Sequence, residues 1–149
     1  MSSQQKEQTF QILLVEDNPG DIYLFRQALK GAGLNFELTV IEDGEEALAF
    51  AKRDGKYAGS PVPDLAVLDV NLPKIQGTEV LGAMRRNEEL ARVPVALMTS
   101  SATPGDQAMS KEFSVAHYMM KPLDLEDFLQ IGNVLKQLLL ERSPHWLKN

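Results

Sequence analysis

The sequence contains no cysteine. That excludes disulfides, iron–sulfur clusters, thiolate zinc sites and a cysteine nucleophile, and it fits a reducing cytoplasm. Histidine is almost missing as well. His117 and His145 are too few and too far apart for a typical imidazole metal site. The formal net charge is −6, which argues against an unassisted nucleic-acid partner, because neutralising phosphates needs clustered Lys and Arg. No apolar run is long enough to span a bilayer. Met1 to Thr9 is polar, carries no hydrophobic signal region, and reads as a flexible tail. No membrane partner is expected. There is no internal repeat and no low-complexity segment. The 149 residues suit a single domain over residues 10–142, with residues 143–149 as a short C-terminal tail.

What is present is an alternation of short apolar runs with amphipathic stretches. Phe10 to Val15 reads as a buried strand, followed by a polar turn from Asp17 to Gly20. Ile22, Phe25, Leu29 and Ala32 then recur at helical spacing, and Gly31 and Gly33 stop that helix. Phe36 to Ile41 is the second strand. Asp43 caps the next helix, which ends near Lys52, with Glu46 at the reciprocal capping position. Arg53 to Pro63, rich in Gly and Pro, is a loop.

Leu65 to Leu68 is apolar at every position, hence a strand buried on both faces. A third helix runs from Gly77 to Arg86 on Val80, Leu81 and Met84, and Pro94 to Met98 is the fourth strand. Thr103 caps a fourth helix with Pro104 at its first position. Ala116 to Met120 is the fifth strand, and Asp124 caps a last helix reaching Arg142. Strands and helices alternating in this way imply an α/β, flavodoxin-like, doubly wound parallel sheet with right-handed crossovers. The expected strand order is 2-1-3-4-5, which puts a site beyond the carboxyl ends of strands 1 and 3.

The residues at those ends carry chemistry. Strand 1 ends in Glu16-Asp17, strand 3 in Asp69 followed by Val70 and Asn71, strand 4 in Thr99, and strand 5 in Lys121-Pro122. In a parallel sheet all four ends open on one edge. Each residue alone has an ordinary explanation: a solvated turn acid, a strand-end threonine, a solvated lysine, or packing in the case of Tyr118. Their joint order is what points to a site. Three carboxylates in one crevice repel one another. Mg²⁺, a hard cation taking carboxylates, carbonyls and waters, removes that repulsion and leaves room for a phosphoryl oxygen. Lys121 offers a positive charge on a flexible stem, Thr99 a hydroxyl donor, and Asp69 a nucleophile able to form an acyl phosphate.

With these residues the sequence resembles the receiver domains of bacterial two-component response regulators, over about Ile12 to Leu140. The likeness lies in Glu16-Asp17 of "LLVEDN", Asp69 of "LAVLDVNLP", Pro73 and Gly77 after it, Thr99, and Lys121-Pro122 of "YMMKP", with Tyr118 at the family's switch aromatic. The resemblance implies a CheY-like fold and phosphorylation of Asp69. It implies Mg²⁺ held by the Asp17 and Asp69 carboxylates and the Asn71 backbone carbonyl, with Glu16, where the family often has Asp, acting through a bound water. It implies Thr99, Lys121 and Tyr118 as the phosphoryl-binding and switching residues. Pro73 and Pro122, with Gly77, are the loop and cis-proline candidates.

"VEDNPGD" together with "LDVNLPKIQG" and the 53–63 loop is similar to the small stand-alone regulators paired with cyanobacterial phytochrome histidine kinases. That likeness implies a cytoplasmic, non-enzymatic switch whose partner is such a kinase.

Two alternatives compete. A haloacid-dehalogenase-type phosphohydrolase also uses an aspartyl phosphate, but it needs an acid where Asn71 stands. A flavodoxin-like FMN binder needs a phosphate-cradling loop where Glu16 and Asp17 would repel the phosphate.

The last helix raises a further expectation. From Leu125 to Leu140 its apolar residues cover an arc of roughly 240°, against a little over ~100° needed to pack on a sheet. The surplus asks for cover, either by a second copy or by the tail carrying Trp146. In the receiver family the face of the fourth helix, fifth strand and fifth helix is a common dimer surface, so a homodimer is expected.

Overall fold

The computed structural model describes residues 8–142. Residues 1–7 and the Trp146 tail lie outside them. Five strands, β1 (Phe10–Val15), β2 (Phe36–Ile41), β3 (Leu65–Asp69), β4 (Val95–Thr99) and β5 (His117–Met120), form one parallel sheet in the order β2-β1-β3-β4-β5. Between and after them run α1 (Pro19–Gly31), α2 (Gly44–Ala51), α3 (Gly77–Arg86), α4 (Pro104–Glu112) and α5 (Leu125–Arg142). The doubly wound order expected from the crossover rule is the observed one.

Alternating side chains of the three inner strands feed two cores. Ile12, Leu14, Leu65, Val67, Ala96 and Met98 pack with Phe25 and Leu29 of α1 and Phe128, Ile131 and Leu135 of α5. Leu13, Val15, Ala66, Leu68, Val95 and Leu97 pack with Phe50 of α2 and Val80, Leu81 and Met84 of α3. This two-sided burial is why β3 is apolar throughout. Phe25 meets Phe128 edge to face, with centroids 5.1 Å apart. At the same α1–α5 contact a Cβ on Gly132 would sit 2.0 Å from the Ala28 carbonyl oxygen, so the helices approach as closely as glycine permits.

The boundaries shift slightly from the sequence reading. β4 begins at Val95 because Pro94 has no N–H, although its carbonyl still accepts from the Ala66 amide at 3.0 Å. β3 and β4 each extend one residue, to Asp69 and Thr99, and β5 starts at His117. α1 begins inside the expected turn: Asn18 caps it by accepting from the Asp21 amide, Pro19 opens it, and it includes Gly31. The 53–63 loop contains a 3-10 turn at Gly55–Tyr57.

Only half of the capping box forms. Asp43 accepts from the Glu46 amide at 2.8 Å. The Glu46 carboxylate turns instead to the Tyr57 hydroxyl at 2.7 Å and Lys56 at 3.3 Å, which outbid a local backbone amide. No cis peptide bond occurs among the described residues, so neither Pro73 nor Pro122 follows one. The trans form, favoured by ~0.5–1 kcal/mol before proline, suffices for both loops.

Candidate functional site

The register brings the expected residues to one edge. Asp69 is paired across β3–β4 with Met98, and Thr99 across β4–β5 with Met120. Glu16, one residue past β1, is fully buried, and Asp69 is 2% exposed. One carboxylate oxygen from each of Glu16, Asp17 and Asp69 lies within 4.8 Å of the others. Lys121 reaches into this group. Its Nζ donates to Glu16 Oε1 and to Asp21 Oδ2, each at 2.9 Å, and to Asp69 Oδ2 at 3.2 Å.

Three carboxylates thus bond one ammonium, with Asp17 beside two of them, and the electrostatics reflect the imbalance. Burial pushes the Glu16 carboxyl up to about 7; the Lys121 hydrogen bond opposes that rise and the Asp69 charge adds to it. For Lys121 burial opposes the charged form, but the hydrogen bonds to Glu16 and Asp21 outweigh it and its pKa moves up. A buried pair of this kind is costly to break by removing one partner.

The backbone fixes the acids. Glu16 Oε2 accepts from the Asn18 amide at 3.1 Å, and Asp69 Oδ1 accepts from the Asn71 amide at 2.9 Å. The Asn71 side chain then accepts from the Ser100 amide at 2.9 Å, tying the β3 loop to the β4 loop. Thr99 is buried, and its hydroxyl faces two acceptors, Ser101 O at 3.0 Å and Asn71 Oδ1 at 3.3 Å, while accepting from the Ser101 amide at 3.1 Å. Pro73 accepts from the Ile75 amide at 2.7 Å across Lys74, whose φ is +70°. This is a tight three-residue turn of a kind that costs energy and clusters at functional loops. Gly77 opens α3 directly against the Asp69 carbonyl.

Tyr118 is half buried and packs on the α2–α3 side of the sheet. Its hydroxyl is buried without a hydrogen bond of normal geometry, although the Thr103 backbone is near. Burial first, and the Asp106 charge second, raise its pKa.

Glu16, Asp17, Asp69, Asn71, Thr99 and Lys121 therefore meet at one crevice, with Pro73 and Gly77 shaping its rim. Sequence reasoning missed Asp21. The available signal was weak: an acid in the first turn of the helix that follows the Glu16-Asp17 pair.

The donor set is wholly hard oxygen, and three of its carboxylates sit close enough to share one cation, which fits Mg²⁺ or Mn²⁺. A doubly wound sheet with this acidic, lysine-bearing crevice at its switch point defines a class of α/β signalling domain. The chain belongs to the response regulator receiver domain family, which matches residues 12–132. Response regulator Rcp1 from Synechocystis sp. (strain ATCC 27184 / PCC 6803 / Kazusa) is 38% identical over 130 residues, 87% of this chain and 88% of Rcp1. Among solved structures, the phosphorylated cyanobacterial phytochrome response regulator RcpA superposes with a TM-score of 0.82 at 34% identity, covering 91% of this chain and 97% of RcpA. The Mn²⁺-bound form of Rcp1 gives 0.77 at 38% identity, covering 85% and 91%. The protein is thus a receiver-domain response regulator, and the phosphohydrolase alternative finds no support.

Proposed function

We propose that the protein accepts a phosphoryl group on Asp69 from a sensor histidine kinase of the phytochrome type and relays this event through a protein-binding surface in the cytoplasm. The observation that carries the reading is the placement of Asp69. It is a nearly buried carboxylate at the end of a central strand, 3.2 Å from the Lys121 ammonium and beside two further acids. An Asp69 oxygen forms the new bond to phosphorus while the phosphorus–nitrogen bond of the kinase phosphohistidine breaks, and the imidazole keeps the electron pair. Lys121 holds a phosphoryl oxygen, and the Thr99 hydroxyl, tied to Asn71 at the neighbouring strand end, is available to another. Asp17, Asp69 and the Asn71 carbonyl, with Glu16 behind them, are suited to hold Mg²⁺. When bound, it supplies the positive charge that lets a phosphoryl group approach several carboxylates. The similarity to Rcp1 and RcpA supports the phytochrome pairing. The chain acts as a switch, assisting only its own phosphorylation and dephosphorylation.

The test is direct labelling. Wild-type protein with acetyl phosphate and Mg²⁺ should gain one phosphoryl group, which mass spectrometry places on the Asp69 peptide. Excess chelator should abolish the gain. Undiminished labelling in chelator would remove the metal from this account.

Loading replaces the single charge of the Asp69 carboxylate with a phosphoryl group carrying roughly 1.5–2 negative charges, a net gain of at most about one, and brings new acceptor oxygens. Thr99 can leave Ser101 for a phosphoryl oxygen, freeing space for the Tyr118 ring and reshaping the surface of α4, β5 and α5. That surface suits a two-fold homodimer. Leu125 and Leu140 on α5 are 58% and 43% exposed. Sedimentation should show wild-type association that changes on phosphorylation. Thr99→Ala should load normally yet leave association unresponsive. An equal response in Thr99→Ala and wild type would place the switch elsewhere.

A further inference from the structure

We infer that Asp21 is a positioning residue for loading: it holds the Lys121 ammonium on the α1 side of the crevice until a phosphoryl group draws it away. This rests on the reading of Asp69 as phosphoacceptor.

The first ground is stoichiometry. A lysine ammonium has three protons to donate, and the structure commits all three, to Glu16, Asp21 and Asp69. In the metal-free crevice a phosphoryl oxygen can be bound only if one of these bonds opens, and once a cation has taken Glu16 and Asp69 the Asp21 bond is the one that still holds the ammonium away. The second ground is which bond opens most easily. The Glu16 and Asp69 side chains are 0% and 3% exposed, whereas that of Asp21 is 21% exposed. Asp21 therefore returns to water at the smallest desolvation cost. The third ground is membership of the acid cluster. Glu16 and Asp69 belong to the group of carboxylates close enough to share a cation, and Asp21 does not. A cation drawn to that group competes with Lys121 for Glu16 and Asp69 but leaves Asp21 to it.

Asp21 also has the local support such a role needs. It lies in the first turn of α1, with its amide fixed by the Asn18 cap at 3.0 Å, so its carboxylate is presented from a rigid helix end.

Asp21→Asn preserves shape and backbone bonding but removes the charge that retains Lys121. At saturating Mg²⁺ the variant should load from acetyl phosphate about three- to tenfold faster than wild type, the scale of losing one partly exposed charge-assisted bond. Asp21→Glu should restore the slower rate. The effect should persist in 0.5 M KCl, because a contact is screened far less than a remote field. A second readout is independent of rate: the Lys121 ¹⁵Nζ resonance should show faster proton exchange in Asp21→Asn than in wild type with Mg²⁺ present, with melting lowered by no more than about 5 °C. Loading at or below the wild-type rate, a difference that vanishes in salt, or unchanged Lys121 exchange would each overturn the inference. Failure of both proteins to label on Asp69 would overturn the phosphoacceptor reading as well, so the two failures are distinguishable.

Discussion

Asp69→Asn protein should take up no phosphoryl group from acetyl phosphate and Mg²⁺ under conditions that load the wild type, a loss of ~10³-fold or more, on the scale of removing an attacking group. The amide has no anionic oxygen with which to attack phosphorus. No neighbour is equally placed to substitute: Glu16 is fully buried and bonded to Lys121 and the Asn18 amide, and Asp17 is exposed on the α1 side of the crevice.

The fold should survive the change. Lys121 loses its longest bond, 3.2 Å, and keeps those to Glu16 and Asp21. The Asp69 charge also helps raise the Glu16 carboxyl, so its removal relieves repulsion. Melting should therefore stay at or above the wild-type temperature. Intact-mass measurement of phosphorylation together with calorimetry checks both halves. A wild-type yield of label on Glu16, Asp17 or Asp21 of the variant would show that the crevice, rather than Asp69, is what accepts the group.

Why Asp69 was legible and Asp21 was not is a matter of range. Asp69 follows Leu65 to Leu68, and an apolar run of strand length bounded by a polar loop announces a central strand on its own. Right-handed crossovers then leave few strand orders, the parallel sheet opens all carboxyl ends on one edge, and the doubly wound order puts the ends of β1 and β3 at its switch point. Asp21 carries no comparable local mark. Its bond is to a residue 100 positions away, and in sequence it is one more acid in a helix's first turn, where acids are favoured anyway. The unusual backbone at Lys74 is equally silent, because lysine has no preference for positive φ and only the docking of the 70–76 loop imposes it. The Glu46 capping partner was misread for a related reason: Tyr57 arrives from the next loop and competes for the same carboxylate.

The α5 arc was partly over-read. Phe128, Ile131, Leu135 and Leu139 are buried in the core and Leu138 packs against it, so α1 and the sheet together cover more of the helix than a sheet alone would. What remains bare is concentrated near the two ends, at Leu125 and Leu140.

Gly77→Ala should lower the melting temperature by at least about 5 °C, the shift corresponding to a loss of one to two kcal/mol in a domain of this size, and should slow loading of Asp69 by ~10²-fold. Intrinsic propensity argues the other way, since alanine in a helix is favoured over glycine by ~1 kcal/mol. Contact geometry decides the sign. A Cβ at Gly77 would lie 2.2 Å from the Asp69 carbonyl oxygen, 2.9 Å from its carbonyl carbon and 3.1 Å from Val70 Cα. All three are backbone atoms of the chain leaving β3, so no side-chain rotation relieves the overlap; α3 or the end of β3 must move. The same segment is held by the Gly77 amide donating to the Val70 carbonyl at 3.1 Å, a bond that separation of the two would stretch. Movement of the β3 end carries the Asp69 carboxylate with it, and misplacement of a reacting group by ~1 Å is enough for a loss of ~10²-fold. Gly105→Ala in α4 is the internal control. The only atom near its Cβ is the Thr103 hydroxyl oxygen at 3.8 Å, an ordinary contact, so that variant should melt at or slightly above the wild-type temperature and load normally. If Gly77→Ala behaves like Gly105→Ala in both measurements, the junction between β3 and α3 has slack, and the position of Asp69 does not depend on it.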